Sequence, residues 1–216
     1  MPTPVLQSSL RQFRRYEHLV KAGEQCDCIY RIRDGWACRY ETLHDGRRQI
    51  TALYLPGEYC EPHWLLSGRA ELAVMALTPL STTPLLLSEV HRPQDGGVKT
   101  MLGAILQNLE RQTQWIIRLG RKNATERIVE LFVDLRSRLG SDDDTVKIPL
   151  TQREIADIVG LTPVHVNRVL HRLAEQKRVF QHGRTLLATA HVSGIIRQCP
   201  SNVTEMNDEK ATSDGW

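Results

Sequence analysis

One stretch of the chain contains the start and stop signals of two short helices, LTQREIADIVGLTPVHVNRVLHRLAEQ. Thr151 and Glu154 have the spacing of a capping box, in which each side chain bonds the other residue's backbone N–H at a helix start. Gly160 suits the turn after this helix because glycine tolerates a positive φ. Thr162 can cap the second helix, and Pro163 fits its first position, where the missing N–H leaves nothing unpaired. The stretch therefore predicts two helices joined by a tight turn.

The second of these helices is predicted to have an apolar face and a polar face. The positions expected to face inward in the two helices are Ile155, Ala156, Ile158, Val159, Val166, Val169, Leu170 and Leu173. The positions expected on the outer face are Val164, His165, Asn167, Arg168, His171 and Arg172. Because this outer set offers hydrogen-bond donors and no acid, it suits a polyanionic partner.

A helix with such a face can lie in the major groove of DNA with its N-terminal residues against base edges. Arg168 is the predicted principal base reader, since arginine can bond O6 and N7 of guanine together. His165 and Val164 are expected to meet a base edge and a thymine methyl group, respectively. The rest of the predicted DNA-contacting set in this stretch is Gln152, Arg153, Thr162, Pro163, Asn167 and Arg172.

A β-hairpin is predicted directly after the two helices, within RVFQHGRTLLAT. Two runs of strand-forming residues flank the turn His182-Gly183-Arg184. This arrangement is typical of the wing of a winged helix-turn-helix. Arg184, at the tip, is predicted to contact a DNA phosphate.

Upstream of this unit, a helical period follows the polar break PQDGG. The side chains Leu102, Ile105, Leu109, Gln112, Ile116 and Leu119 recur at alternating spacings of three and four residues. This spacing is typical of a coiled-coil seam and predicts a dimerisation helix that ends at Gly120, a candidate hinge. Asn123 and Glu126 form a second predicted capping box, for the helix that follows. The alternative for the stripe is that it packs on the chain's own β-domain.

The first part of the chain has short runs of strand-forming residues separated by turn signals. CIYRIR, WACRYETL and RRQITALYL each have the length of a strand. Asp34-Gly35 and Asp45-Gly46 lie between these runs, and Asp-Gly pairs favour hairpins. We therefore predict an antiparallel roll or barrel.

Basic charge is concentrated toward the C-terminal half. Residues 111–192 carry 14 basic and 9 acidic groups, whereas residues 1–110 carry 12 of each. This excess favours a polyanion partner for the helical part. No run of about 18 apolar residues and no signal-peptide pattern is present, so we expect a cytoplasmic protein without a membrane partner.

Together these patterns predict an α+β chain with four segments. The segments are an antiparallel β-roll at 1–97, a dimerisation helix at 98–120, a winged helix-turn-helix at 121–192 and a polar tail at 193–216. We expect the tail to be poorly ordered, because it has no apolar pattern.

The chain resembles the Crp/Fnr family of transcription regulators over nearly its whole length. TQREIADIVGLTPVHVNRVLHRL is similar to the family's DNA-reading motif, and GWACRYETLHDGRRQI resembles a β-roll segment of many members. The resemblance implies a cyclic-nucleotide-binding-like β-roll, a homodimer on double-stranded palindromic DNA, and RNA polymerase as a partner. It places base-reading positions at Pro163, Val164 and Arg168. Members that bind cyclic AMP have Arg-Glu in place of Pro163-Val164, so only Arg168 carries over directly.

The resemblance also bears on the effector. Members that bind cyclic AMP use a Gly-Glu pair and a following arginine, whereas this chain has Glu61, Pro62 and then Arg69. Proline removes a backbone donor, and the Glu61 carboxylate would repel a phosphate. Cyclic AMP is therefore disfavoured as an effector.

The cysteines raise the question of an iron–sulfur cluster, which needs four thiolate or equivalent ligands. They are Cys26, Cys28, Cys38, Cys60 and Cys199. The Cys-x-Cys spacing of the first two and the strand positions of the next two favour buried, small apolar residues instead. We expect no cofactor and no metal, and the sequence identifies no effector.

The leading interpretation is a sequence-specific DNA-binding transcription regulator. The alternative is a small-molecule or redox-sensing β-roll protein whose helical domain mediates protein contacts. An enzyme is disfavoured because no nucleophile–base pair or metal-ligand set emerges from the sequence.

Overall fold

The computed structural model describes residues 10–86, 97–140, 143–182, 185–189 and 191–192. Strands come first along the chain, helices follow, and a small sheet closes the C-terminal part. The predicted tail at 193–216 and the turn residues Gly183 and Arg184 lie outside the described residues. The α+β class predicted from the sequence is confirmed.

Two antiparallel sheets form the N-terminal β-roll. The strands are β1 (Arg11–Phe13), β2 (His18–Val20), β3 (Cys28–Asp34), β4 (Ala37–Thr42), β5 (Arg48–Tyr54), β6 (Tyr59–Cys60), β7 (Ala73–Ala76) and β8 (Leu80–Leu86). One sheet has the order β1-β8-β3-β6 and the other has the order β2-β7-β4-β5. Ile29 of the first sheet and Val74 of the second share an apolar core, to which the short helix α1 (Trp64–Ser67) adds Trp64.

The two Asp-Gly pairs differ in what they connect. Gly46 lies in the turn between β4 and β5, which pair with each other, so the predicted hairpin is confirmed there. Gly35 connects β3 to β4, and these strands belong to different sheets, so the predicted hairpin is wrong at this position. Gly35 has a φ of 82°, and a Cβ there would overlap the carbonyl oxygen of Pro79. The chain crosses between sheets at a point with no room for a side chain.

Two helices follow the β-roll, α2 (Gly97–Arg121) and α3 (Ala124–Leu139). Helix α2 continues one residue past Gly120, its predicted end. Asn123 and Glu126 form the predicted capping box at the start of α3. No helix within the described residues is both long and apolar enough to cross a membrane.

Helix α2 presents one side to the rest of the chain and the other to solvent. Met101 is buried, and Trp115 packs against the core of the C-terminal part. Three residues of the predicted seam, Ile105, Gln112 and Leu119, are half-buried, and the last two face this inner side. The exposed apolar residues of α2 are Val98, Leu102, Leu106, Leu109, Ile116 and Ile117. The exposed stripe is therefore rotated slightly about the helix axis from the predicted seam, of which it retains Leu102, Leu109 and Ile116.

The C-terminal part contains the predicted helix pair and hairpin. Its elements are β9 (Thr145–Ile148), α4 (Gln152–Val159), α5 (Pro163–Glu175), β10 (Val179–His182) and β11 (Thr185–Thr189). The three strands form an antiparallel sheet in the order β10-β11-β9. The core of this part includes Ile128 and Phe132 of α3 and continues into the β-roll through Ile50 and Leu53. The helix pair and the β-roll therefore share buried apolar surface.

Candidate nucleic-acid interface

Side-chain caps fix the start of both helices of the pair. The Thr151 hydroxyl accepts a hydrogen bond from the backbone N–H of Glu154 at 3.2 Å, and the Glu154 carboxylate accepts one from the N–H of Thr151 at 2.6 Å. The Thr162 hydroxyl accepts from the N–H of His165 at 3.2 Å, and Gly160 ends α4 with a φ of 66°. These predicted signals are confirmed, and they decide which side chains of α5 face outward.

Most of the predicted DNA-contacting residues lie on the solvent side of the helix pair. The exposed ones are Arg153, Thr162, Pro163, Val164, His165, Arg168 and Arg172. Val166, Val169 and Leu173 are buried on the opposite side of α5, as predicted. Val164 is 70% exposed, so its methyl groups are free to contact an apolar group such as a thymine methyl.

Asn167, like Gln152, differs from the other described contact residues because it is half-buried. Its side-chain amide donates a hydrogen bond to the side-chain oxygen of Gln152 at 3.1 Å. The bond joins the start of α4 to the second turn of α5. Asn167 therefore links the two helices, and it orients the Gln152 amide, whose NH₂ group can still donate to a phosphate.

The acidic side chains of α4 are turned away from this face. Glu154 is 1% exposed and forms an ion pair with Arg15 of the β-roll, and Asp157 forms one with Arg48. Their negative charges are thus offset by arginines on the inner side. The outer side keeps its basic character, which favours a phosphate backbone.

In the described part of the wing, one large apolar side chain that the sequence analysis did not select is exposed. Phe180 on β10 is 45% exposed, while its neighbour Val179 is buried. Alternation along a strand could have indicated this, because consecutive side chains point to opposite faces. Arg184, the predicted phosphate contact at the wing tip, lies outside the described residues.

Comparisons with known proteins agree with this geometry. Residues 126–190 match the Crp-like helix-turn-helix domain, and residues 10–84 match the cyclic nucleotide-binding domain. The transcriptional activatory protein AadR of Rhodopseudomonas palustris is 30% identical over 179 residues, which cover 79% of this chain and 74% of AadR. The chain belongs to the Crp/Fnr family. As such it is a DNA-binding transcription regulator, and α4 and α5 lie within the residues that match the Crp-like helix-turn-helix domain.

Two further comparisons cover nearly the whole chain. The transcriptional activator protein FnrL of Cereibacter sphaeroides is 27% identical over 205 residues, covering 87% of this chain and 79% of FnrL. The solved structure of FixK2 from Bradyrhizobium japonicum superposes with a TM-score of 0.79 at 25% identity. That superposition covers 89% of this chain and 97% of the FixK2 chain. The similarity therefore extends over the β-roll, α2 and the winged helix-turn-helix together.

The Crp/Fnr β-roll of this chain has an internal ion-pair cluster where the sequence analysis placed the cyclic AMP contacts. The Glu61 carboxylate is 2% exposed and lies 3.1 Å from the Arg39 guanidinium and 3.0 Å from His63 Nδ1. Burial raises the pKa of Glu61 above its usual value, although Arg39 and His63 act in the opposite direction. Arg69 is exposed and donates to the carbonyl of Gly23 at 3.1 Å. These residues do not fit a cyclic nucleotide phosphate, because the buried acid already neutralises the nearby cation.

Proposed function

We propose that this regulator binds a palindromic DNA operator as a homodimer, with α5 of each protomer in the major groove. The observation that carries the proposal is the solvent face of α5, where exposed donors surround Arg168 and the one acid of the helix, Glu175, lies at its C-terminal end. In this arrangement Arg168 reads guanine, and Arg153 and Gln152 hold phosphates. Two such helices would enter successive major grooves, about 34 Å apart.

The dimer contact is proposed to lie along the exposed apolar stripe of α2. Leu102, Leu106, Leu109 and Ile116 are each more than half exposed, and they follow one side of a helix of 25 residues. A stripe of that length left in water is costly, and a second copy of the same helix can cover it with coiled-coil packing. FnrL, a relative of this chain, is named a transcriptional activator, and this name supports RNA polymerase as a further partner. The protein would act in the cytoplasm, where its DNA lies, and without a catalytic role.

The operator-bound state is proposed to need neither cyclic AMP nor a metal cofactor. Support comes from Glu61, whose carboxylate is paired within the protein. Within the described residues there is also no group of three or more His, Cys, Asp or Glu side chains placed to hold a metal ion.

Selection of genomic fragments with the purified protein tests the operator. We expect enrichment of a two-fold symmetric sequence with half-site centres one helical turn apart. Arg168→Ala is expected to weaken binding to that sequence by about 1–3 kcal/mol for each half-site and to relax the preference at one base pair. Arg47→Ala, which removes an exposed arginine of the β4–β5 turn, is the matched control. The proposal fails if no symmetric sequence is enriched, or if Arg168→Ala binds the selected sequence like the control. Either result would favour the alternative function, a sensing β-roll protein whose helical domain mediates protein contacts.

A further inference from the structure

We propose that Arg15 and Arg48 of the β-roll are positioning residues for DNA binding. They hold α4 against the β-roll and, through α4, set the orientation of the DNA-reading helix α5. With Gln49 and Arg127 they form a set of four side chains that contact both ends of α4, which we call the α4 clamp. The inference rests on the DNA-binding function and adds the means by which the β-roll takes part in it.

The first part of the α4 clamp is at the start of the helix. One guanidinium nitrogen of Arg15 lies 3.0 Å and 3.1 Å from the two carboxylate oxygens of Glu154. The Glu154 side chain is almost completely buried and also accepts from the Thr151 hydroxyl and backbone N–H. A carboxylate so far from water needs a cation close by. Arg15, 139 residues earlier in the chain, is that cation.

The second part is near the end of the helix. Two guanidinium nitrogens of Arg48, Nε and Nη2, donate to one carboxylate oxygen of Asp157 at 3.0 Å and 2.8 Å. The Arg48 guanidinium also lies over the ring of Tyr40, 5.5 Å from its centroid. Both members of the pair are less than a quarter exposed. Charge-assisted bonds in such a partly buried site are less screened by salt than surface pairs.

The third part consists of two side chains that donate to carbonyl groups at the end of α4. These carbonyl groups have no partner within the helix itself. The side-chain amide of Gln49 donates to the Ile158 carbonyl at 3.1 Å, and Arg127 donates to the Val159 carbonyl at 3.2 Å. Gln49 follows Arg48 directly on β5, so one strand supplies two contacts. Both ends of α4 are thereby fixed relative to the β-roll and α3.

The contacts reach α5 through its packing on α4. The two helices share a buried core that includes Ile155 and Val166, and the Asn167–Gln152 hydrogen bond joins their outer edges. A change in the position of α4 therefore moves α5 as well. When the α4 clamp is lost, the reading helices sample more orientations, and only a fraction of the protein has the orientation that fits the operator. Apparent affinity falls in proportion to that fraction.

Charge reversal within the β4–β5 hairpin tests the proposal. Arg48→Glu replaces the attraction to Asp157 by repulsion, while Arg47→Glu changes the net charge equally in the neighbouring residue, whose ion pair is with Asp45 in the same turn. The probe is a DNA duplex with the operator selected by the wild-type protein, compared with an unrelated duplex at the same salt concentration. We expect Arg48→Glu to bind the operator at least about fivefold more weakly than Arg47→Glu, with a smaller difference on the unrelated duplex.

The swapped pair Arg48→Glu with Asp157→Arg restores attraction and the wild-type net charge, and its operator affinity is expected to return to within about threefold of the wild type. At the other end, Arg15→Gln is expected to weaken operator binding more than Arg14→Gln. Binding stoichiometry at high protein concentration should stay that of the wild type, which separates positioning from partial unfolding. Equal affinities of Arg48→Glu and Arg47→Glu, or a swap that restores nothing, would overturn the proposal. Failure of the wild-type protein to bind any operator would instead overturn the function on which it rests.

Discussion

At the residue scale, burial controls the chemistry of the cysteines in the β-roll. Cys26, Cys28, Cys38 and Cys60 are buried free thiols. Burial raises the pKa of Cys26 to about 11 and that of Cys38 to about 12, and it raises the pKa of Cys28 and Cys60 as well. Since only the thiolate is nucleophilic, these side chains are expected to behave as small apolar residues in the folded protein.

Thiol titration with an aromatic disulfide reagent checks this expectation. In a Cys199→Ser variant at about pH 8, the thiolate fraction of a group with a pKa of about 11 is about two hundredfold below that of an ordinary cysteine. The native variant should therefore react very slowly, and denaturant should release four reactive thiols. Rapid reaction of two or more thiols in the native protein would contradict the buried arrangement and would revive a redox or cluster role.

Single residues also show where sequence reasoning stops. The capping role of Glu154 could be predicted, because its partner Thr151 is three residues away. The ion pair of the same carboxylate with Arg15 could not be predicted, because 139 residues separate the two and only the tertiary fold brings them together. Helical periodicity predicted that Asn167 lies on the outer face. Periodicity contains no information about the distance between the Asn167 amide and Gln152 of the preceding helix. Local hydrogen bonds are visible in sequence patterns, and long-range polar contacts are not.

At the scale of elements, the crossing between the two sheets of the β-roll depends on Gly35. Alanine there must adopt a φ of 82° and place its Cβ against the Pro79 carbonyl and the Thr78 hydroxyl. Gly46 has a similar φ of 77°, but a Cβ there would have open space around it. Gly46→Ala is therefore expected to lower the free energy of unfolding by about 1–2 kcal/mol, which is the backbone penalty alone. Gly35→Ala should cost at least about 2 kcal/mol more, because backbone atoms must also move.

Chemical denaturation of the two glycine variants, followed by circular dichroism, measures this difference. The fitted dependence on denaturant must be similar for both proteins for the comparison to report stability. If Gly35→Ala is as stable as Gly46→Ala, the close approach of Gly35 to Pro79 is wrong.

The elements differ in how far sequence predicted them. The Asp34-Gly35 pair has the local chemistry of a hairpin turn. Strand β3 nevertheless pairs with β6 and β8 and not with β4, and the chain crosses to the other sheet at this turn. The seam on α2 was predicted from spacing alone. Side chains three and four residues apart both lie on one face of a helix, so spacing does not distinguish a stripe through Ile105 from one through Leu106. The packing of Trp115 on the C-terminal core decides between them, and it turns Gln112 and Leu119 inward.

At the scale of the whole molecule, affinity for a symmetric operator depends on joining two reading helices. One helix-turn-helix offers few base contacts, and a second one in the same particle binds at a high effective concentration. The exposed stripe on α2 is the surface that we propose for this joining. Leu109, which is 59% exposed, lies in its middle, and Ile116, which is 71% exposed, lies toward its C-terminal end.

Replacing both Leu109 and Ile116 by glutamate places like charges face to face in the proposed dimer. Both side chains are exposed in the single chain, so the fold of each protomer should be largely unaffected. We expect the wild type to sediment as a dimer at micromolar concentration and the double variant as a monomer. Operator affinity should fall by at least about a hundredfold, since the second half-site no longer contributes. Leu66→Glu is the control, because Leu66 is an apolar residue on α1 that is 82% exposed but lies off the stripe. A double variant that remains dimeric would place the dimer contact on another surface, whereas a monomeric wild type that still binds the symmetric operator would mean that the DNA itself brings the two copies together.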